Sequence, residues 1–247
     1  MSRKLKVNAA FFKRFLNPIP WAISRWSIGL LVVLLAACSD WGNSDFPVFR
    51  SFGWFSRLNA DDIRDACLTG SPNRYRLIYN AIWGTQVRDY EIVTDPIGGG
   101  GQLAVRVIFP EAPSSIDLLD PLKTFSGHRS AVILTQADLQ ELTAVLQQSG
   151  FYGPTPTGLV LPSDGYYWIV AACENGNFHF NAWLYPSDRF SAIRFDNWLF
   201  RRDATGIAVN PAQPVPPRQQ YNRSVAEDQE FSIFDLEVGS NGLANLL

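Results

Sequence analysis

The segment DGYYWIVAACENGNFHFNAWLYP, spanning Asp164 to Pro186, admits few folds. Two runs of branched and aromatic residues flank Asn175-Gly176, a pair suited to the type I′ turn of a two-residue hairpin. A turn centred there pairs Cys173 with Phe178, Ala171 with Phe180, Ile169 with Ala182 and Tyr167 with Leu184 on one face. The other face carries Glu174 with Asn177, Ala172 with His179, Val170 with Asn181, and Trp168 with Trp183. A slip of one residue would exchange the two faces, so the segregation of polarity fixes the register. The first set is expected to face the core. The second is expected at solvent, either as the plain outside of a hairpin or as a ligand-facing surface built on Trp168, His179, Asn181 and Trp183.

Other segments supply partners for this hairpin. RYRLIYNAIWGTQVRDYEIV, Arg74 to Val93, reads as a second hairpin turning at Gly84-Thr85, with Leu77 opposite Ile92 and Tyr79 opposite Tyr90. Gly98 to Gly101 form a loop, and Gln102 to Phe109 a strand. These glycines lack both the GxGxxG spacing and the following helix of a phosphate cradle. TQADLQELTAVLQQSGF is a helix signature: Thr135 and Asp138 fit a capping box, Leu139, Leu142, Val145 and Leu146 share a face, and Gly150 ends it. Asn59 is placed to cap a short helix running to about Cys67, and Ser187 or Asp188 a second one running to Arg202. Residues Glu230 to Val238 read as a late strand returning to the sheet or as an apolar segment for a partner. The layout predicts an α+β domain: an antiparallel sheet built from hairpins, with two or three helices packed on one face.

The formal charge of −2 conceals an asymmetry. Residues 1–37 hold Arg3, Lys4, Lys6, Lys13, Arg14 and Arg25 and no acid, which leaves 15 basic against 23 acidic residues in the remainder. An acidic body argues against nucleic acid as a partner, because phosphate binding draws on clustered lysine and arginine. The basic start is followed by an apolar run over Ile28 to Ala37, shorter than the roughly 20 residues of a spanning helix and ended by Cys38, Ser39 and Asp40. This is the order of a secretory signal peptide.

Leu35-Ala36-Ala37-Cys38 resembles the lipobox of bacterial lipoproteins. The resemblance implies cleavage before Cys38, a diacylglycerol thioether on its sulfur and acylation of the new amino terminus. More than one acyl chain gives stable anchoring. Ser39 in place of aspartate resembles the pattern sorted to the outer membrane. The chain then divides into a signal peptide (1–37), a tether and aromatic arm (38–58), an α+β domain (59–205) and a proline-rich linker with a C-terminal segment (206–247).

With Cys38 lipidated, Cys67 and Cys173 remain as an even pair in a compartment where disulfides persist, either bridged or buried as free thiols. No HExxH, CxxC, GxSxG or Cys/His ligand spacing is present, so neither a metal site nor a cofactor is expected and no catalytic residue is assigned. Three readings follow. The first is a noncatalytic, lipid-anchored envelope protein whose periplasmic domain is structural or binds an envelope protein. The second is an envelope enzyme using a cysteine or histidine, with His128, beside Arg129 and Ser130, joining Cys67 or Asp164. The third is a carrier of a small ligand or peptide on the Trp168-Trp183 face.

Overall fold

The computed structural model describes residues 54–109, 127–215 and 234–246. Cys38 and residues 216–233 lie outside that set. The helices are α1 (Asp61–Asp65), α2 (Gln136–Gln148), α3 (Asp188–Ser191) and α4 (Phe195–Arg202), with a further helical stretch over 54–59. The strands are β1 (Arg74–Ala81), β2 (Val87–Thr94), β3 (Gly101–Ile108), β4 (His128–Leu134), β5 (Val160–Pro162), β6 (Tyr166–Glu174), β7 (Asn177–Leu184), β8 (Asp235–Val238) and β9 (Leu243–Leu246).

Six strands form one antiparallel sheet in the order β4-β3-β2-β1-β6-β7, and β5-β8-β9 form a small second sheet. The fold class is therefore α+β. The β6–β7 register is the one expected from the Asn-Gly turn, with Cys173 opposite Phe178 and Trp168 opposite Trp183. Asn175 and Gly176 both adopt positive φ, at 52° and 79°, as that turn requires.

The β1–β2 hairpin differs from expectation. Leu77 faces Tyr90 and Tyr79 faces Arg88, two residues away from the expected pairing. The strands close one pair earlier, with Ala81 N bonding Gln86 O across a loop over 82–85. An even shift leaves every side chain on its expected face.

Helices lie on both faces of the large sheet, not on one. Leu58, Ala60 and Ile63 pack with Leu161, Leu236 and Val238 against Ile78, Ile169, Ala171 and Phe180, so the arm and the small sheet cover this side. On the other side Leu142 and Leu146 of α2 and Trp198 and Leu199 of α4 cover Tyr90, Trp168, Val170 and Trp183. The second face of the β6–β7 hairpin, expected at solvent, is thus the floor of the larger core.

Helix α2 has the expected capping box. Asp138 N donates to Thr135 Oγ1 at 3.2 Å and Thr135 N to Asp138 Oδ2 at 2.9 Å. The Thr135 hydroxyl, Arg202 and the Thr135 amide together hold the Asp138 carboxyl at about 2. Thr135→Ala should cost about 1 kcal/mol in urea unfolding and let the Asp138 carboxyl rise toward its ordinary value in a carbon-13 NMR titration; unchanged values of both would remove the box from the account.

The segment 187–202 is two helices instead of one, broken over 192–194, with Ser187 Oγ accepting from Phe190 N at the first. Asn59 does not cap α1. The cap position is Ala60 at φ 55°, and Asn59 Oδ1 instead accepts from Leu243 N at 2.7 Å, tying the arm to β9. The late strand Asp235–Val238 joins β5 and β9, not the large sheet. Among the described residues, no helix is long and apolar enough to cross a membrane.

Candidate functional site

The residues singled out in the sequence separate in space. Trp168, Asn181 and Trp183 are 1%, 0% and 0% exposed, so they present no surface to a ligand. Trp168 stacks on Tyr79 at 4.8 Å and meets Phe195 edge-on, and Trp183 Nε1 donates to Ser149 O at 3.2 Å. Asn181 Nδ2 donates to Phe151 O at 3.0 Å and also reaches the Gly150 and Gly153 carbonyls, while its Oδ1 accepts from Ala182 N and from Arg189. A buried amide is tolerated when both ends are bonded, and this one fixes the loop after α2.

His179 is half-buried, edge-on to Tyr152 at 5.4 Å, and Tyr152 Oη donates to Glu174 Oε1 at 2.6 Å. His128 opens β4, edge-on to Phe109. Cys67 and Cys173 form a disulfide with a Cα–Cα separation of 5.5 Å. Neither sulfur is a free thiolate, so neither is a nucleophile as it stands. The bond also contacts β6 from the arm side, four strands across the sheet order from His128 on β4. Among the described residues, no group of three or more His, Cys, Asp or Glu side chains is placed to hold a metal ion.

The densest polar constellation lies elsewhere, on the arm side of β1, β2 and β3. Alternation along these strands puts Arg74 and Arg76, Asp89 and Glu91, and Arg106 on one face. The arm adds Arg57 and Asp62. Arg76, 2% exposed, holds Asp62 with both terminal nitrogens, at 2.6 and 2.8 Å. Arg57 bridges Asp89 at 2.6 Å and Glu91 at 2.9 Å. Arg74 reaches Glu91 at 2.6 Å, and Arg106 reaches Asp89 at 2.9 Å.

The electrostatics follow from this geometry. Burial alone would raise the Asp62 carboxyl, but Arg76 outweighs it and holds the group at about 2. Burial opposes ionisation of Asp89 more strongly, yet Arg57 and Arg106 keep its carboxyl below the usual range, and Arg76, Arg74 and Arg57 do the same for Glu91. Two buried atoms in the network, Asp89 Oδ1 and Arg76 Nε, have no hydrogen-bond partner.

This network borders the open part of the sheet. Cross-strand register sets three rows over β2, β3 and β4: Val93, Gln102 and Ile133; Glu91, Ala104 and Ala131; Asp89, Arg106 and Arg129. Val93 is 38% and Ile133 76% exposed, and Gln102, Ala104, Ala131 and Arg129 are also exposed. The arm and small sheet cover this face over β1, β6 and β7 and over Val87 and Asp89 at one end of β2, leaving the Val93, Gln102 and Ile133 row and the β4 edge exposed. Chemically, the surface is a patch of small and branched side chains edged by guanidinium groups that are paired with carboxylates of the same face.

Sequence reading did not single out Arg57 or Arg106, and it named Arg129 only beside His128. A signal was present: Arg74 and Arg76 on one strand and Asp89 and Glu91 on the next share parity and have opposite sign. No family model, no curated protein and no solved structure matches this chain.

Proposed function

We propose that the protein is a lipid-anchored envelope protein, held by Cys38, whose folded body serves a noncatalytic structural or partner-binding role on the periplasmic side of the outer membrane. The observation that carries this reading is the Cys67–Cys173 disulfide. Such bonds persist in the periplasm and outside the cell and are rare in the reducing cytosol. It supports export, which the basic-then-apolar leader also favours, and the lipobox at Leu35–Cys38 favours retention at a membrane. The acidic balance of the body and the use of both remaining cysteines in one bond favour a binding role over thiol chemistry.

Growth with an alkyne analogue of palmitate tests the anchor. The wild type should take up label and partition with membranes, whereas Cys38→Ala should remain unlabelled and keep residues 1–37, read as intact mass. Equal labelling of the two would overturn the reading.

A further inference from the structure

The geometry points to a two-fold pairing of β4 with β4 of a second copy, which joins the two large sheets edge to edge. The inference goes beyond the lipid-anchored reading, and its register does not depend on the anchor.

Main-chain direction is the first argument. Bonded and non-bonded pairs alternate along an antiparallel ladder, so successive residues turn their N–H and C=O to opposite sides of the strand. The bonds from Ala81 N to Gln86 O and from Asp95 N to Gly100 O fix that alternation for β1–β2 and β2–β3. Carried across to β4, it turns His128, Ser130, Val132 and Leu134 toward β3 and leaves Arg129, Ala131 and Ile133 facing outward. Among the described residues, none bonds the main chain of Ala131 or Ile133 from that side. Ala131 is exposed and Ile133 is 76% exposed, and the strand HRSAVIL holds none of the proline, lysine or acid that blunts an edge.

The opposite edge of the sheet is blunted. On β7 the residues beside the hairpin turn set the even positions outward, and their main-chain groups are taken. Thr155 Oγ1 donates to Phe180 O at 3.0 Å, Ala182 N donates to Asn181 Oδ1 at 2.9 Å, and Ser187 Oγ donates to Leu184 O at 2.7 Å. Stacking of β4 on β7 from copy to copy is thereby disfavoured. Two copies joined through β4 leave only the blunted β7 edges outermost, so the contact closes at two.

The strand also matches itself. Pairing about Ala131 overlaps the whole of His128–Leu134, with Ala131 opposite Ala131 and Arg129 of one copy opposite Ile133 of the other. Each outward residue then exchanges bonds with one of the second copy, and no like charges stand opposite each other. Alanine at the centre permits close approach, and the stem of Arg129 covers Ile133. Arg129 has an interaction of its own, so the pairing draws on its main chain and stem and not on a free charge.

Residues directly opposite in a sheet share a face, so the two-fold axis stands perpendicular to the sheet and the arm side of both copies faces the same way. Leu58, Ala60 and Ile63 of the arm lie on that side, and both tethers therefore enter from one side of the joined sheet. A strand of this length is well short of the roughly 20–30 residues a side of a standard interface, so the contact is weak in solution. Two anchors in one bilayer raise the effective concentration and favour it there.

The test uses the mature acylated protein, checked by intact mass. Sedimentation equilibrium in density-matched detergent should show one-chain mass passing to two-chain mass as concentration rises, and nothing larger. Ala131→Pro removes an outward N–H that the ladder to β3 does not use, so it should keep the wild-type urea midpoint and raise the half-association concentration about tenfold or more. Ala131→Ser keeps the N–H and should associate as the wild type does. Ile133→Lys, an edge charge at an exposed position, should weaken association without touching the main chain. On vesicles, a nitroxide on Gln102→Cys should give a separation of about 20 Å by pulsed EPR, from three strand spacings across and four residues along, and Ala131→Pro should remove it. One-chain mass at every concentration with no such separation on vesicles, as an edge filled from within the chain would give, overturns the pairing. Association that survives both Ala131→Pro and Ile133→Lys, or that grows past two chains, overturns it as well. Intact mass without acyl groups overturns the anchor and leaves the sedimentation result to decide the pairing.

Discussion

Replacing Arg88 by methionine is expected to lower stability by about 3–5 kcal/mol, the range for removing one partner of a buried ion pair. Arg88 is 0% exposed and pairs with Asp203, whose side chain is 4% exposed. Its Nε donates to Gln86 Oε1 at 2.9 Å, and one terminal nitrogen donates to Ile207 O at 2.7 Å and Ala208 O at 2.8 Å. Methionine matches the length of the stem but returns none of these bonds. Asp203 would be left as an uncompensated charge, with only Thr205 and Tyr90 donating to it, and Ile207 O would lose its donor while Ala208 O would keep only Gln86 Nε2. Burial and Asp203 already push the Tyr90 hydroxyl well up, so it stays protonated and remains a donor. The midpoint of urea unfolding reads the cost. Adding Asp203→Asn keeps an acceptor for Thr205 and removes the stranded charge, so the double variant should recover at least about 1 kcal/mol over Arg88→Met. A loss below about 1 kcal/mol in the single variant would show that the pair is not buried as described.

The same residues explain what the sequence could and could not tell. The β6–β7 register was legible because the Asn-Gly turn and the alternation of polarity agree, and α2 because its cap and apolar face lie within one window. Which face meets solvent was not legible. Asn181 and His179 alternate with apolar residues as an outer face would, yet Asn181 is satisfied by carbonyls of the 150–153 loop, about thirty positions earlier. A buried polar side chain is identified by its partner, and partners distant in sequence leave no local pattern. Arg88 is the stronger case: it looks like an exposed strand residue in VRDYEIV, and its partner Asp203 lies 115 residues away.

Proline gave a second partial signal. Residues 210–215 form neither helix nor strand, as the prolines around them favour, but the segment is not detached from the sheet at its start. Tyr79 Oη donates to Asn210 O at 3.0 Å, Asn210 N donates to Gln86 Oε1 at 3.0 Å, and Asn210 Nδ2 donates to Ala81 O at 3.2 Å. Arg88 and Asn210 together strap residues 203–210 across the end of the sheet. The open face of β2 to β4 was invisible for the opposite reason. Its exposure depends on where the arm and the small sheet stop, which is a property of packing and not of the strands themselves.

Removing the Cys67–Cys173 bond should cost about 4–5 kcal/mol by the chain-entropy account of a loop near 100 residues long, with native contacts largely retained. The separation is 106 residues, so cross-linking excludes many extended conformations of the unfolded chain. On the native side, little is lost with the sulfurs. Leu58, Ala60 and Ile63 are 1%, 0% and 0% exposed and pack against the sheet through their own side chains. Arg76 still clamps Asp62 to β1, and Asn73 Oδ1 still accepts from Asn175 N at 2.9 Å near the hairpin turn. The cost should therefore fall on the unfolded state. Cys67→Ala with Cys173→Ala should lower the urea midpoint and raise the denaturant slope, because the unlinked chain exposes more surface when it unfolds. Reductant should move the wild type toward the double variant and leave the double variant unmoved. If the bond instead served mainly to pin α1, amide exchange in residues 54–67 would rise far above the rest of the body in native buffer. If oxidised wild type and double variant unfold at one midpoint, the sulfurs are not joined in the native protein, and the compartment inferred from them loses its support.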